Sequence, residues 1–130
     1  MKIAVSSAGK DLDSQIDPRF GRCRYFIVVD VETMDFEVLD NEGSMASGGA
    51  GIQAAQRVAE KGVRALITGN LGPNAASALS AAGIKVHLVP DGTVREAAKL
   101  FKEGKLTETS GPSVASHFGA GGGRKEPLPR

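Results

Sequence analysis

The sequence lacks several residues on which common kinds of protein depend. It contains one cysteine, one tyrosine and no tryptophan among 130 residues. A single cysteine excludes an intrachain disulfide framework and a self-sufficient four-cysteine zinc or iron–sulfur site. No apolar run reaches the roughly 18 residues of a membrane-spanning helix, and the start of the chain does not resemble a signal peptide. These absences predict a cytoplasmic protein with no membrane partner.

An excess of charge of one sign is also missing. Sixteen Lys and Arg stand against fifteen Asp and Glu, for a formal net charge of +1. A domain this close to neutral lacks the basic surface that sequence-independent nucleic-acid binding requires. We therefore expect no nucleic-acid partner. The hydrophobic fraction of 41% is too high for a fully disordered chain, and the length is that of one domain.

Short apolar runs alternate with helical patterns, which is typical of an α/β fold. Strands are predicted at 3–5, 25–31, 36–39, 64–68 and 85–89, and helices after the glycines at 48–51, at Pro73 and at Thr93. The first helix is predicted to place Ile52, Ala55, Gln56 and Ala59 on one face. The short connection between the second and third strands predicts an antiparallel hairpin, while the later strand–helix–strand units require parallel pairing. Helices on both faces of a five-stranded mixed sheet follow.

The end of the chain differs in composition from the rest. Its last residues have no hydrophobic period and contain much Gly, Pro and Ser. We therefore predict one domain over residues 1–108, followed by a flexible tail over 109–130.

Two glycine-containing loops are candidates for ligand binding. Gly49 and Gly51 come just before or at a helix start, and Asn70 and Gly72 precede the next helix. Free backbone N–H groups at a helix N-terminus, with the helix dipole behind them, favour an anion. The alternative is that these glycines only make tight turns where helices pack closely on the sheet. Neither loop matches the phosphate-loop or dinucleotide patterns.

Arginines surround the lone thiol of Cys23. The segment over residues 17–24 reads DPRFGRCR and includes Arg19, Arg22 and Arg24. Nearby cations lower the pKa of a cysteine and favour the thiolate, which binds soft metals. The alternative is a solvent-facing basic turn in which Cys23 packs as a small apolar residue.

The order of several stretches resembles the dinitrogenase iron–molybdenum cofactor biosynthesis family, which includes NifX-like and NafY-like carrier proteins and the C-terminal part of NifB. The stretches are MKIAVSS at 1–7, DPRFGRCRYFIVVD at 17–30, GGAGIQAAQ at 48–56, GNLGPNAASAL at 69–79, AAGIKV at 81–86 and DGTVREAAKLFKEGKL at 91–106. The resemblance implies a ribonuclease-H-like three-layer α/β/α fold whose five-stranded sheet has the order 3-2-1-4-5 with strand 2 antiparallel. It also implies binding or carriage of an iron–sulfur or molybdenum–iron cofactor precursor, without catalysis.

The resemblance also bears on individual residues. Members linked to cofactor binding commonly have His-Phe-Gly where this chain has Arg19-Phe20-Gly21. A guanidinium cannot ligate iron, although it can donate charge-assisted hydrogen bonds to an anionic cofactor. Cys23 falls where several members carry cysteine, so it is the leading candidate for a metal ligand. The predicted cofactor-binding residues are Ser6, Arg19, Phe20, Gly21, Arg22, Cys23, Gly49, Gly51, Asn70 and Gly72.

These observations lead to a non-enzymatic carrier of a metal–sulfur cofactor. The first strand has no acidic residue, so the two-metal chemistry of ribonucleases is not expected. The expected partners are the cofactor and its donor or acceptor proteins, and the chain is expected to be a monomer or a weak homodimer. Two alternatives are a regulatory module that binds a phosphorylated metabolite or nucleotide, and a protein–protein adaptor.

Overall fold

The computed structural model describes residues 1–41 and 49–109. Strands come first, and helices alternate with strands from residue 50 onwards. The elements in chain order are β1 (Lys2–Ser7), β2 (Tyr25–Asp30), β3 (Phe36–Asp40), α1 (Ala50–Glu60), β4 (Ala65–Thr68), α2 (Pro73–Ala81), β5 (Lys85–Leu88), α3 (Val94–Lys102) and β6 (Glu108–Thr109). Within the described ranges, no helix is both long and apolar enough to cross a lipid bilayer.

The sheet has the order β3-β2-β1-β4-β5-β6. β1 is parallel to β4 and β4 is parallel to β5, whereas β2 is antiparallel to both β1 and β3. The predicted α/β class and the order 3-2-1-4-5 with strand 2 antiparallel are therefore confirmed. The relation to ribonuclease H stays a prediction.

β6 is an addition that the sequence did not predict. Its two residues pair antiparallel with β5, Glu108 opposite His87 and Thr109 opposite Val86. Two residues are too few to carry a hydrophobic period, which is why the sequence did not indicate this strand. β6 spans the predicted boundary between domain and tail at residue 108. Residues 110–130 of the predicted tail, and residues 42–48 of the first glycine loop, lie outside the described residues.

The helices divide between the two faces of the sheet. Along β1, Ala4 belongs to the cluster with α1 and α2, while Ile3 and Val5 belong to the cluster with α3. This alternation is the period of two that a strand imposes on its side chains. Two separate apolar cores result, one on each side of the sheet, and they fix the positions of the three helix N-termini.

The buried face of α1 differs in part from the apolar face that the sequence predicted. In α1 the buried residues include Ala54, Ala55 and Val58, but the side chain of Ile52 is 40% exposed. The reason is that α1 packs through Gly51 at its first turn, since a methyl group there would lie 3.1 Å from Ala75 Cβ in α2. Ile52 follows about 100° further round the helix, and it therefore turns away from the core.

Candidate functional site

The loop between β1 and β2 is held down along its length by backbone hydrogen bonds. Ile16 N–H donates to the Gly92 carbonyl at 2.9 Å, and Asn70 N–H donates to the Pro18 carbonyl at 2.7 Å. The loop thus lies over the carboxyl-end loops of β4 and β5. In an α/β sheet this is the edge at which ligands bind.

A cleft of about 330 Å³ opens at this edge of the sheet. It is bounded by the 19–21 turn of the loop, the first turn of α1, and the connection from β4 into α2. Its lining contains six residues that the sequence predicted for the site: Arg19, Phe20, Gly21, Gly51, Asn70 and Gly72. The structure therefore brings together three segments that are distant in the sequence.

The N-termini of α1 and α2 both reach the cleft, and among the described residues no side chain caps either of them. Gly49, with φ of 74°, precedes α1, and Gly72 precedes α2; neither helix has an acidic residue in its first turn. By contrast, Thr93 and Glu96 form a complete capping box at the start of α3. The first N–H groups of a helix have no partner within the helix, so α1 and α2 present donors and positive dipole ends to the cleft.

Close backbone contacts hold these segments together. A methyl group on Gly21 would lie 3.0 Å from Gly51 N, and one on Gly69 would lie 2.7 Å from both Cα and Cβ of Pro18. Only glycine fits at such distances without displacement of the neighbouring backbone. The alternative interpretation of the glycines as close-packing positions therefore applies to Gly21, Gly51 and Gly69.

Arg19 lies at the mouth of the cleft and is paired with Asp17. Arg19 Nε and Nη2 donate to the Asp17 carboxylate at 3.2 and 3.1 Å. The Arg19 side chain is 64% exposed, whereas that of Asp17 is 7% exposed. These hydrogen bonds and the charge of Asp17 raise the pKa of Arg19, so the guanidinium stays charged throughout the accessible pH range.

Two predicted site residues lie beneath the cleft and do not line it. Ser6 is fully buried, and its hydroxyl donates to the Asp17 carbonyl at 2.6 Å. Cys23 is also fully buried, and its Sγ–H donates to the Phe20 carbonyl at 3.3 Å. Burial, reinforced by the negative charge of Asp17, raises the pKa of Cys23 to about 12.

Of the two interpretations of Cys23, this conformation favours the protonated thiol over the thiolate. Burial of the sulfur dominates the pKa of Cys23. The charged groups of the arginines lie in solvent, which weakens their effect on that pKa. The structure agrees instead with the alternative in which Cys23 packs as a small apolar residue. Its role as a metal ligand stays a prediction, and that role would require the sulfur to leave its present position.

The remaining predicted residues, Arg22 and Gly49, do not line the cleft. Arg22 is exposed, and Gly49 is an exposed residue just before α1. Sequence reasoning missed the part played by Asn41, whose Nδ2 donates to the carbonyls of Gly21 at 3.1 Å and Cys23 at 2.9 Å. Asn41 is buried, and these two hydrogen bonds attach the 19–23 turn to the end of β3. Its only signal in the sequence is a lone amide at the end of a strand.

The lining of the cleft has a distinct chemistry. Its polar side chains are those of Arg19, Asn70 and Asn74; none of the described lining residues is Asp, Glu, His or Cys. Over residues 1–41 and 49–109, no group of three or more such side chains is arranged to hold a metal ion. A second cleft of about 420 Å³ along α3 has the opposite character, because Asp91, Glu96 and Glu103 outnumber Lys99 there. The cleft beside Arg19 therefore suits an anion and the second one does not.

Comparison with known proteins agrees with the predicted resemblance. The chain is 33% identical over 110 residues to an uncharacterised protein of Methanocaldococcus jannaschii, covering 82% of this chain and 93% of that protein. The apo form of the orange protein from Desulfovibrio gigas superposes with a TM-score of 0.84 at 46% identity, covering 86% of this chain and 95% of that one. A candidate NifB protein from Thermotoga gives a TM-score of 0.73 at 43% identity, with 84% and 93% covered. Residues 1–104 match the family described as "Dinitrogenase iron-molybdenum cofactor", and the chain belongs to that family.

Proposed function

We propose that this chain is a non-catalytic carrier that binds an anionic iron–sulfur or molybdenum–iron cofactor precursor in the cleft beside Arg19. The observation that carries the proposal is the convergence of two uncapped helix N-termini and one exposed guanidinium on a single cleft. Each of these groups favours negative charge, and together they act on the same volume. Membership of a cofactor-related family, and a relative described in its apo form, support the same conclusion.

The donor set suits a cluster whose metals keep their own ligands. The lining supplies N–H donors from Arg19, Asn70, Asn74 and the helix backbones, which can contact anionic sulfides. Because the described lining has no thiolate, imidazole or carboxylate, the metals would keep the sulfides or other ligands with which they arrive. Cys23 would join them only if the 19–23 turn opened.

The same chemistry supports a carrier in preference to an enzyme. Arginine and asparagine side chains do not change protonation state near neutral pH, so the described lining of the cleft supplies no general acid or base. We propose that the cargo arrives from a donor protein and leaves to an acceptor protein in the cytoplasm.

A second candidate is a regulatory module that binds a phosphorylated metabolite or nucleotide. The observation in its favour is the same pair of helix N-termini, since phosphate binds at such sites. Competition separates the two candidates. Excess inorganic phosphate or a nucleotide should displace a metal–sulfur anion only if the cleft is a phosphate site.

An anaerobic titration tests the proposal. Tetrathiomolybdate and a synthetic four-iron–four-sulfur thiolate cluster serve as probes, followed by absorbance and by co-migration of metal with protein on gel filtration. We expect one equivalent to bind and to resist millimolar phosphate. If neither probe co-migrates with the wild-type chain, the carrier proposal fails.

Gly72→Asp provides a matched variant. Gly72 has extended backbone angles, and a Cβ at this position would meet no neighbouring group within 4 Å, so the aspartate fits without strain. Its carboxylate would cap α2 and place negative charge in the cleft, and we expect affinity for tetrathiomolybdate to fall at least tenfold. Cys23→Ser should leave the affinity unchanged if the sulfur is not a ligand; a large loss would restore the predicted Cys23–metal bond.

A further inference from the structure

We propose that Asp17 is a positioning residue that holds the Arg19 guanidinium with one edge anchored and the other edge open to the anion. The inference rests on the proposed function, because it concerns how the same cleft binds its cargo. It concerns a residue that neither the glycine loops nor the resemblance singled out.

Hydrogen bonds to β1 hold the backbone of Asp17 in place. Its backbone N–H donates to the Ser6 carbonyl at 3.0 Å, and its own carbonyl accepts from Ser6 Oγ at 2.6 Å. Ser6 Oγ also lies 2.8 Å from Thr68 Oγ1, at the end of β4. The backbone of Asp17 is thus attached to β1 by two hydrogen bonds, through a serine that is itself linked to β4, and the Asp17 side chain is almost fully buried.

The segment on the other side of Asp17 is fixed as well. Pro18 has a restricted φ, packs against Gly69, and accepts a hydrogen bond from Asn70 N–H at 2.7 Å. The carboxylate therefore has a defined place relative to the β4–α2 connection, which forms one wall of the cleft.

Arg19 is attached to this fixed carboxylate at three points. Its backbone N–H donates to Asp17 Oδ1 at 3.0 Å, its Nε to the same oxygen at 3.2 Å, and its Nη2 to Oδ2 at 3.1 Å. A guanidinium has five N–H groups, and this pairing takes two of them. Two parallel N–H groups, one on Nη1 and one on Nη2, are left on the next edge of the guanidinium, on a side chain that is 64% exposed at the mouth of the cleft.

This arrangement explains how a long, exposed side chain can contribute to selective binding. An unanchored arginine samples many rotamers, and a ligand must then restrict it. The Asp17 carboxylate restricts Arg19 before any ligand arrives and leaves a planar pair of donors that suits a bidentate anion.

A mutant cycle tests the proposal with tetrathiomolybdate as the probe. Asp17→Asn keeps the shape but removes the charge and the acceptor for Nη2, and we expect affinity to fall about tenfold. In an Arg19→Gln background, Asp17→Asn should cause no further loss. A gain in affinity would show that Asp17 acts only as a repelling charge, and an equal loss in both backgrounds would show a general structural role; either result overturns the proposal.

Arg19→Gln leaves the buried carboxylate of Asp17 without its charged partner, so a second background guards against a variant that does not fold. Arg19→Lys then takes its place in the cycle, since it keeps the charge but cannot form the two-point pairing. Asp17→Asn should again cause little further loss in this background. A tenfold loss there would count against positioning.

A readout without ligand separates this inference from the proposed function. In the free protein, the Arg19 Nε–H resonance should be visible and slow to exchange with water by NMR, and Asp17→Asn should abolish that protection. If the wild type binds no probe but shows this behaviour, the carrier proposal fails and the positioning of Arg19 by Asp17 stands. Equal exchange in the wild type and Asp17→Asn would overturn the positioning.

Discussion

The buried thiol of Cys23 makes a quantitative prediction about stability at alkaline pH. Burial raises its pKa from an ordinary 9.0 to about 12 in the folded chain. A folded-state pKa above the unfolded value means that the folded chain binds the proton more tightly. This contribution to stability is fully present below pH 9 and is lost as pH rises from 9 through 12.

The size of the effect follows from the two pKa values. A difference of three units corresponds to about 4 kcal/mol once both states are ionised. Between pH 7 and pH 10, where only the unfolded thiol ionises appreciably, the loss is about 1 kcal/mol. Cys23→Ala removes the titrating group, so the variant should lose about that much less stability over the same interval.

Urea unfolding of both proteins at half-unit steps from pH 7 to pH 10 measures this difference. The alanine variant leaves a small cavity, which lowers its stability by an amount that does not depend on pH. The reactivity of the wild-type Cys23 thiol with iodoacetamide supplies a second measure, since this thiol should react slowly until urea unfolds the chain. Parallel pH profiles, together with rapid alkylation of the folded protein, would refute the burial argument and favour the thiolate that the arginines suggested.

Three further substitutions test the cleft and its supports by urea unfolding. Gly69→Ala should destabilise the chain by about 1–3 kcal/mol, because the new methyl group overlaps Pro18; an unchanged midpoint would show that the loop shifts freely. Gly72→Asp should stabilise it by about 0.5 kcal/mol through capping of α2 while it weakens tetrathiomolybdate binding, and a loss of stability would argue against an uncapped N-terminus. Thr93→Ala should cost about 1 kcal/mol, since Glu96 N–H loses its acceptor at 3.1 Å; no cost would mean that the capping box is not formed in solution.

Much of this architecture is accessible from the sequence because it depends on local patterns. The strands containing Ile3, Ile27 and Leu66 are apolar runs bounded by polar or glycine residues, and the Thr93–Glu96 capping box is a four-residue signature. The two glycine loops could be placed at the ligand edge because the carboxyl ends of parallel strands meet there.

The rest depends on contacts between distant segments. The thiol of Cys23 is buried against Phe20 and Asn41. Ile52 faces outwards, because α1 packs against α2 through Gly51. No window of a few residues contains those contacts. Asp17 and Arg19 are close in sequence, but the position of Asp17 depends on a distant contact, because its backbone carbonyl accepts a hydrogen bond from Ser6 Oγ, which also lies 2.8 Å from Thr68 Oγ1.

The hydrogen bonds along the β1–β2 loop have a consequence for the kinetics of the cargo exchange that we propose for this chain. Ordering a flexible segment costs about 1–2 kcal/mol per residue, and here folding has already met that cost through contacts such as Ile16 with Gly92 and Asn70 with Pro18. The empty and loaded forms can therefore share one backbone conformation around Arg19. Entry would then be limited by encounter and charge, and release would depend on an acceptor that binds the anion more tightly, with no conformational step within the carrier itself.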